Sequence, residues 1–495
     1  MNLKEYLAGI AWQSDLERPD RIEISTVTND SRQVRAGAIF VCIQGGRFDG
    51  HDMALDALRD GAAAVVVQRD LGLPEQVLVE NARSAYAILC ANHFGNPSRR
   101  MKLVGVTGTN GKTTTTYLVQ GILEAAGKKV GLMGTIHNEI LGMEFPAKHT
   151  TPDPYQLHAM LNRMAQSGCE YVVMETSSHA LDQHRLDGCR FEVGVFTNLT
   201  QDHLDYHKTM EEYYKAKRKL FDIAERAVVN LDDDHGRMLA EELGDRALTY
   251  SLERDDADLT AKDIVSTARG SKFILVGRGF IERMKIRMPG RFSVSNAMAA
   301  AGVCLSLGLS PEEAAAGLDR CPGVPGRAEV IDGGTDYTII RDYAHSPDGL
   351  EKILTALRQY AQGRLVCLFG CAGDRDRTKR PIMAECVAQN ADFVILTSDN
   401  PRTEDPLRII GDAKPGLDKY PTPYKIIPDR FDAIEWALDN AMPGDILVLA
   451  GKGHEDYQVL HDETVCFDEK EVVLRLLKQR GAGAAPGSEG QTRES

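Results

Sequence analysis

Three features are missing from the sequence, and each absence excludes a class of protein. Its ten cysteines contain no C-x-x-C pair, and the four-residue spacing of Cys367 and Cys371 is completed by no second pair, so a structural zinc site is not expected. The N-terminus has no signal-peptide pattern, and no apolar run approaches the ~20 residues of a membrane span. We therefore expect a cytoplasmic protein with reduced, mostly buried thiols that acts as a monomer.

An excess of basic residues is also missing. The chain has 58 Lys and Arg against 72 Asp and Glu, a formal net charge of -14. Nucleic acid is thus not expected as a partner, because phosphate backbones bind basic surfaces. A small anionic substrate is still possible, since local basic or glycine-rich sites can exist on an acidic protein.

The length and the hydrophobic pattern predict a multidomain α/β protein. At about 100–200 residues per domain, 495 residues predict two to four domains. Short apolar runs alternate with helical stretches, which predicts mostly parallel sheets with helices on both faces. We place the boundaries at 1–98, 99–326 and 327–479, followed by a disordered tail at 480–495 that is rich in Gly, Ala and Ser.

A phosphate-binding loop is the most specific local pattern. The predicted strand Leu103 to Val106 leads into Thr107-Gly108-Thr109-Asn110-Gly111-Lys112-Thr113-Thr114 and then a helix. Loop amides and a helix N-terminus attract phosphate, Lys112 adds a full charge, and Thr113 offers a hydroxyl to Mg²⁺. The spacing departs from the usual rule, because Val106 occupies the first glycine position and Gly105 comes one residue early. A simple glycine turn before a helix would be the alternative, but the strand and Gly-Lys-Thr-Thr favour phosphate binding.

This loop resembles the ATP loop of the Mur ligases, the amide-forming enzymes of bacterial cell-wall precursor synthesis. The resemblance continues over nearly the whole chain, through Glu175-Thr176-Ser177-Ser178-His179, Thr197-Asn198-Leu199, Asp202-His203-Leu204-Asp205-Tyr206-His207 and Asp342-Tyr343-Ala344-His345-Ser346-Pro347. Marks of the branch that adds the third stem-peptide residue are Thr150-Thr151-Pro152, Gly370 to Asp376, Asp399-Asn400-Pro401-Arg402 and Gly451-Lys452-Gly453-His454-Glu455. Ser293 departs from the family, which usually has Asn there.

The resemblance implies a three-domain architecture and a specific ligation. The N-terminal domain would bind a UDP-linked substrate, a central P-loop-type parallel-sheet domain would bind ATP, and a Rossmann-like C-terminal domain would bind an amino acid. The implied reaction adds meso-2,6-diaminopimelate to UDP-N-acetylmuramoyl-L-alanyl-D-glutamate through an acyl phosphate. ATP is a substrate and Mg²⁺ the implied cofactor. Positioning and cations should dominate such catalysis, because both steps concentrate negative charge on oxygens.

Four residues would carry the chemistry by resemblance. Lys112 would contact the transferred phosphoryl group, and Glu175, His179 and Lys217 would join Thr113 around Mg²⁺, with Lys217 carbamylated to N6-carboxylysine. Without the resemblance, Glu175 would be a helix N-terminal acid, His179 a packing histidine and Lys217 part of a solvated basic face. A lysine can be carbamylated only when deprotonated, which a desolvated site with neighbouring cations favours.

The remaining nucleotide and peptide contacts also depend on the resemblance. The implied ATP contacts are Gly108, Thr109, Asn110, Gly111, Lys112, Thr113, Thr114, Asn296, Arg327, Asp342, Tyr343 and His345. The implied UDP-substrate contacts are Ser31, Gly46, Arg47, Phe48, Asn110, Thr150, Thr151, Ser177, Gln183 and Arg185, of which Arg185 would pair with an anionic group. Individually, surface residues of these types are uninformative.

The acceptor residues decide between diaminopimelate and lysine. The resemblance assigns them to Arg375, Asp399, Asn400, Pro401, Arg402, Gly451 and Glu455. Arg402 can grip the distal carboxylate of diaminopimelate and would repel the terminal ammonium of lysine, while Glu455 can accept from the distal amine. Asp-Asn-Pro-Arg is also a β-turn pattern, and such a turn would aim the arginine.

Three other functions are compatible with parts of this pattern. The same ligation with L-lysine is disfavoured by Arg402, and a folate-polyglutamate ligase by the first-domain match. A non-catalytic nucleotide-binding scaffold is disfavoured by the intact Lys112, Glu175, His179 and Lys217. An assay with both amino acids would decide between diaminopimelate and lysine, and phosphate release that requires both substrates would distinguish the ligase from a scaffold.

Overall fold

The computed structural model describes residues 1–46 and 48–483. The chain divides into two compact units. The first comprises Met1–Lys262, Leu275–Glu282 and Ser295–Arg320, and the second comprises Asp263–Ile274, Arg283–Val294 and the chain from Cys321. Across the described residues, no helix has both the length and the apolar character that crossing a bilayer requires.

The first unit begins with a five-stranded sheet in the order β1-β5-β4-β3-β2. Its strands are β1 Trp12–Gln13, β2 Thr26–Thr28, β3 Ala38–Val41, β4 Ala64–Val67 and β5 Gln76–Val79, and its helices are α1 Leu3–Tyr6, α2 Ala54–Arg59 and α3 Ala82–His93. Strands β2 to β5 run parallel and β1 antiparallel. All four residues of β3 and of β4 are buried, as expected where both faces of a parallel sheet are covered.

A second, larger sheet of the first unit contains the predicted loop. Its order from β13 to β9 is β13-β12-β11-β6-β10-β7-β8-β9. These strands are β6 Lys102–Thr107, β7 Val130–Met133, β8 His137–Ile140, β9 Met143–Pro146, β10 Tyr171–Glu175, β11 Phe191–Phe196, β12 Ala224–Asn230 and β13 Ala247–Ser251. From β13 to β7 all pairings are parallel, whereas β8 and β9 form an antiparallel hairpin next to β7.

Helices and a three-strand segment complete this part of the chain. The helices are α4 Lys112–Ala125, α5 Pro154–Gln166, α6 Ser178–Asp182, α7 Leu204–His207, α8 Met210–Arg218, α9 Asp234–Leu243, α10 Arg291–Ser306 and α11 Pro311–Arg320. The strands are β14 Leu259–Thr267, β15 Gly270–Gly277 and β16 Phe280–Ile286. The chain passes between the two units within this segment.

The second unit has a six-stranded sheet in the order β17-β18-β22-β19-β20-β21 and a separate hairpin, β23-β24. Its strands are β17 Glu329–Ile331, β18 Thr338–Asp342, β19 Leu365–Cys371, β20 Phe393–Ser398, β21 Tyr424–Ile426, β22 Ile446–Ala450, β23 Tyr457–Val459 and β24 Thr464–Cys466. Its helices are α12 Pro347–Arg358, α13 Lys379–Asn390, α14 Pro406–Leu417, α15 Arg430–Asn440 and α16 Glu469–Gly483. Only β17 is antiparallel within the six-stranded sheet.

The predicted strand Leu103 to Val106 lies within β6, and the helix predicted after the phosphate loop is α4. The boundaries after residues 98 and 326 stay predictions; the chain from Cys321 groups with two segments of the predicted central domain in the second unit. Helix α16 continues to Gly483, so residues 480–483 are helical, and the rest of the predicted tail lies outside the described residues. Separate hydrophobic cores lie on each of the three main sheets.

Candidate active site

The loop between β6 and α4 has the backbone geometry that phosphate binding needs. Gly108 and Gly111 have φ of 148° and 86°, values that favour glycine. A Cβ on Gly108 would overlap the Thr197 hydroxyl, and one on Gly111 would overlap Asn296 Oδ1. The loop therefore approaches its neighbours closely and leaves the first amides of α4 open towards a ligand.

Gly105, in contrast, belongs to the strand. It lies within β6, and a Cβ there would come within 2.9 Å of the Phe191 ring. The early glycine is thus required for packing between the sheet and its neighbours. The phosphate loop itself begins at Gly108.

Two lysines point their amines at the same turn of this loop. Lys112 Nζ donates to Gly108 O at 3.0 Å and to Thr109 O at 2.9 Å. Lys217 Nζ donates to Gly108 O at 2.7 Å. Both amines are thus held where a bound phosphate would meet them, and a phosphate would replace loop carbonyls as the partner of Lys112.

Lys217 is buried, with 1% of its surface exposed, so it does not belong to a solvated basic face. It lies on α8 with its amine 4.3 Å from the centroid of the Tyr213 ring. Burial, and next the nearby Lys112 ammonium, hold the pKa of the Lys217 amine well below its usual range. This shift favours the neutral amine, which is the form that reacts with carbon dioxide.

Glu175 is the buried carboxylate at the end of β10. Its Oε2 accepts from the Thr113 hydroxyl at 3.0 Å, and its Oε1 accepts from the Thr135 amide at 2.8 Å. Thr135 also donates its hydroxyl to Oε2 at 3.0 Å. The carboxylate thus joins the first turn of α4 to the segment after β7, and it places an anionic oxygen beside the Thr113 hydroxyl.

A cavity of about 300 Å³ brings many of the predicted residues together. Predicted lining residues are Lys112, Thr150, Thr151, Ser177, His179, Gln183, Arg185 and Lys217, and His149, Ser178, His203 and Tyr213 join them. Thr113 and Glu175 adjoin it through hydrogen bonds, and Thr109 and Asn110 are held by bonds to Thr200 and Asn198. The predicted phosphate and peptide residues of the first unit therefore form one site.

His203 is one of the four residues lining this cavity to which the sequence argument gave no role. Its ring lies 4.9 Å from that of His179, in an edge-to-face arrangement, and burial lowers the pKa of both imidazoles. The backbone of His203 is left-handed, with φ of 53°. Such strain in a non-glycine residue is typical of functional sites. The His179 and His203 imidazoles line the cavity together with Lys217, and both are candidate metal ligands.

Arg185 is held by neutral partners. Its guanidinium donates to Thr151 O at 3.0 Å and to Gln183 Oε1 at 2.8 Å. Burial lowers the pKa of the guanidinium, and no carboxylate pairs with it among the described residues. The anionic partner predicted for Arg185 would therefore have to come from a bound ligand.

The remaining predicted UDP contacts are in the N-terminal sheet region. Ser31 begins a short 3₁₀ helix capped by Asp30. Gly46 is exposed and Phe48 is 84% exposed. Arg47 lies outside the described residues. A large apolar ring left in solvent is a feature of binding surfaces, and it agrees with a ligand contact at Phe48.

Position 296, the predicted adenine contact, is buried against the phosphate loop. Asn296 is 7% exposed, and its side-chain oxygen is the atom that excludes a side chain at Gly111. Ser293, which differs from the family pattern, donates to Pro289 O at 2.7 Å and is 1% exposed. The Ser293 hydroxyl, in the first turn of α10, is thus already paired with the carbonyl four residues before it.

In the second unit, the predicted adenosine residues form a cluster at the end of β18. Asp342 accepts amides from Ala328 at 2.7 Å and from Ala344 at 2.8 Å, and burial raises its pKa. The Arg327 guanidinium lies 4.5 Å from the Tyr343 ring centroid, and His345 packs against the same ring. Among the described residues no group hydrogen-bonds to the buried Arg327 Nε.

The predicted acceptor residues meet after β20 and β22. Asn400 Nδ2 donates to Glu455 Oε2 at 2.9 Å, and a Cβ on Gly451 would lie 2.9 Å from Asp399 Oδ2. Arg402 has a left-handed backbone, with φ of 55°, and its buried Nε has no partner within the described part of the chain. Arg375 is exposed, and within the described chain it makes no hydrogen bond or ion pair with this cluster.

Comparisons with known proteins agree with this arrangement. Three family models match: "Mur ligase family, catalytic domain" at residues 23–89, "Mur ligase middle domain" at 106–304 and "Mur ligase, glutamate ligase domain" at 326–453. The UDP-N-acetylmuramoyl-L-alanyl-D-glutamate--2,6-diaminopimelate ligase 1 of Clostridium acetobutylicum is 44% identical over 97% of this chain and 100% of its own. The corresponding ligase of Caldanaerobacter subterraneus is 43% identical over 97% and 99%.

Solved structures give the same result for the fold. A structure of a UDP-N-acetylmuramoyl-L-alanyl-D-glutamate--2,6-diaminopimelate ligase has a TM-score of 0.74 and 34% identity, covering 97% of this chain and 99% of that one. The MurF ligase of Thermotoga maritima in complex with ADP shares the fold, with a TM-score of 0.59, 22% identity and coverage of 94% and 99%. The predicted three-domain α/β architecture is confirmed, and the chain belongs to the Mur ligase family, alongside its diaminopimelate-adding members.

Proposed function

We propose that this protein is an ATP-dependent ligase that joins meso-2,6-diaminopimelate to UDP-N-acetylmuramoyl-L-alanyl-D-glutamate, in peptidoglycan precursor synthesis. One observation carries the proposal. A single cavity contains the phosphate-loop Lys112, the buried Lys217 and the predicted peptide contacts Thr151 and Arg185. The relatives named for this reaction match nearly the whole chain.

In the first step, the substrate carboxylate attacks the γ-phosphoryl group of ATP and gives an acyl phosphate and ADP. Lys112 then stabilises charge on the transferred group, and the loop amides that begin at Gly108 hold the phosphates. In the second step the acceptor amine adds to the acyl carbon, loses a proton and expels phosphate. Arg327 is our candidate for the γ-phosphate contact, because its guanidinium packs on Tyr343 and its buried Nε has no hydrogen-bond partner among the described residues. Asp342, Tyr343 and His345 are our candidates for the adenosine contacts.

The residues around Glu175 suit Mg²⁺, a hard ion that prefers oxygen ligands. Thr113 and Glu175 supply a hydroxyl and a carboxylate 3.0 Å apart, and His179 or His203 can add a nitrogen. No group of three His, Cys, Asp or Glu side chains is arranged around a metal position in the described chain. Nucleotide oxygens and a modified Lys217 would therefore complete the set, and the bound ion would neutralise phosphate charge.

We also propose that Lys217 is carbamylated. A neutral lysine amine adds to carbon dioxide and releases a proton, which converts a cation into an anionic oxygen ligand. The buried position of Lys217, the lowered pKa of its amine and its 2.7 Å contact with the phosphate loop support this modification. An unmodified, charged lysine would instead repel Mg²⁺.

The cysteines bear on where in the cell this reaction takes place. All ten cysteines lie in the described part of the chain and are free, and eight of them are buried. Thiols that stay reduced are typical of cytoplasmic proteins. We therefore propose that the protein acts in the cytoplasm, where nucleotide-linked precursors and ATP are available.

The test is an amide-formation assay with purified protein, ATP, Mg²⁺ and the UDP-linked dipeptide, in which diaminopimelate and L-lysine are offered separately. Steady-state release of ADP and phosphate should require both the dipeptide and diaminopimelate, and mass spectrometry should detect the tripeptide product. Lys112→Ala should abolish turnover, whereas Lys129→Ala, at an exposed lysine just after α4, should not. Release of ADP without the dipeptide would contradict the proposal, and a preference for lysine would reassign the acceptor.

A further inference from the structure

Lys452 is a buried lysine next to the proposed acceptor residues, and the proposal above gives it no role. It lies between Gly451 and Gly453 on the turn that follows β22, and its side chain is 0% exposed. The flanking glycines have φ of 113° and 53°, and a Cβ on Gly453 would lie 2.6 Å from Tyr343 Cβ. This tight turn drives the Lys452 side chain into the protein, where an unpaired ammonium would be costly.

The partners of this ammonium are the acceptor residues themselves. Lys452 Nζ lies 3.2 Å from Asn400 Oδ1, 3.4 Å from Glu455 Oε2 and 3.9 Å from Asp399 Oδ1. Asn400 Nδ2 donates to the same Glu455 Oε2 at 2.9 Å. Within the described part of the chain, both hydrogen bonds of the Glu455 carboxylate fall on Oε2, which leaves Oε1 for an amino acid.

The four charged side chains around the proposed acceptor site sum to zero only when Lys452 is counted. Asp399 and Glu455 contribute two negative charges, and Arg402 and Lys452 contribute two positive charges. The distal end of diaminopimelate is a zwitterion with no net charge, whereas the distal end of lysine is a cation. A neutral pocket with both signs of charge matches the zwitterion, and a pocket with one extra negative charge would favour the cation.

We propose that Lys452 is a positioning residue that determines acceptor specificity. It fixes Glu455 and Asn400 in place, and it keeps the pocket neutral, so that the zwitterionic distal end of diaminopimelate is preferred over the ammonium of lysine. This inference rests on the proposed function. Lys452 would act on the acceptor through Glu455 and Asn400, without contacting it directly.

Lys452→Met tests the inference because it removes the charge and keeps an apolar stem of similar length. We expect the KM for diaminopimelate to rise about tenfold, the size expected for losing a hydrogen bond to a charged group, with kcat nearly unchanged. The ratio of kcat/KM for diaminopimelate to kcat/KM for lysine should fall by about tenfold or more. Lys452→Gln keeps a donor without the charge, so it should recover part of the KM but not the ratio.

The matched control is Lys352→Met, which removes an exposed lysine of the same unit that pairs with Asp348 and should leave both constants unchanged. An unchanged ratio in folded Lys452→Met and Lys452→Gln would overturn the inference. Loss of folding in both variants, or an equal loss of kcat with both acceptors, would also overturn it, because the role would then be structural only. A wild-type protein that ignores diaminopimelate would instead contradict the proposed function.

Discussion

Arg402 gives the sharpest test of the acceptor assignment, through Arg402→Ala. Its backbone is left-handed, and its amide donates a hydrogen bond to Val459 O at 3.1 Å. Its Nε is buried and has no hydrogen-bond partner in the described chain. Since a buried donor without a partner is costly, this guanidinium is prepared for an acceptor from outside the protein, and the distal carboxylate of diaminopimelate is the group we propose.

The expected magnitude follows from this geometry. A hydrogen bond to a charged group contributes about 1.5–3 kcal/mol, and about 1.4 kcal/mol corresponds to a factor of ten. Arg402→Ala should therefore raise the KM for diaminopimelate about 10- to 150-fold. Arg402→Lys keeps the charge but loses the planar fork, so its KM should lie between those of the wild type and the alanine variant.

The assay is steady-state ADP release with each substrate varied in turn. The KM values for ATP and for the UDP-linked dipeptide should not change, because Arg402 is assigned to the acceptor alone. Arg408→Ala, at an exposed arginine on α14, is the control. If Arg402→Ala left the KM for diaminopimelate unchanged, or raised that for the dipeptide instead, the acceptor assignment would be wrong.

Three further predictions concern the first unit. If Lys217 is carbamylated, activity should fall in bicarbonate-depleted buffer and recover when carbon-13 bicarbonate is added. The labelled protein should show a carbamate signal by nuclear magnetic resonance, and Lys217→Arg should abolish it. Activity independent of bicarbonate would contradict carbamylation. Gly111→Ala should weaken ADP binding in calorimetry and cost about 1–2 kcal/mol of stability, because its φ of 86° strains any side chain; unchanged affinity would argue against the loop assignment. Burial lowers the pKa of His158 from 6.5 to about 4. Between pH 6.5 and pH 4 the unfolded chain therefore binds a proton that the folded chain does not. The free energy of unfolding should therefore fall as the pH drops from 6.5 towards 4, by about 3 kcal/mol, and denaturant titration of His158→Leu should show a smaller fall.

Much of the first unit could be predicted from local sequence because its strands are continuous apolar runs that end in polar residues. The burial of Lys217 was harder to predict, since Lys215, Lys217 and Lys219 together suggest a solvated face. One signal was present: Tyr213 lies four residues before Lys217, and both belong to the buried face of α8. His203 carried no comparable signal, because a left-handed backbone at a histidine depends on tertiary contacts.

The pairing of the strands explains why the candidate site residues meet at all. In the first unit, Glu175 pairs with Val106, and Phe196 pairs with Thr107. In the second unit, Ser398 pairs with Cys371, and Ala450 pairs with Asp342.

In parallel sheets, residues that follow paired strand ends become neighbours, and ligands bind at that edge. The sequence identifies which strands end in polar residues, but the register that places those ends side by side is a property of the folded sheet. Lys452 illustrates the difference. Its motif was visible, but its role follows only from the two strand ends that bring Asn400 and Glu455 around one buried ammonium.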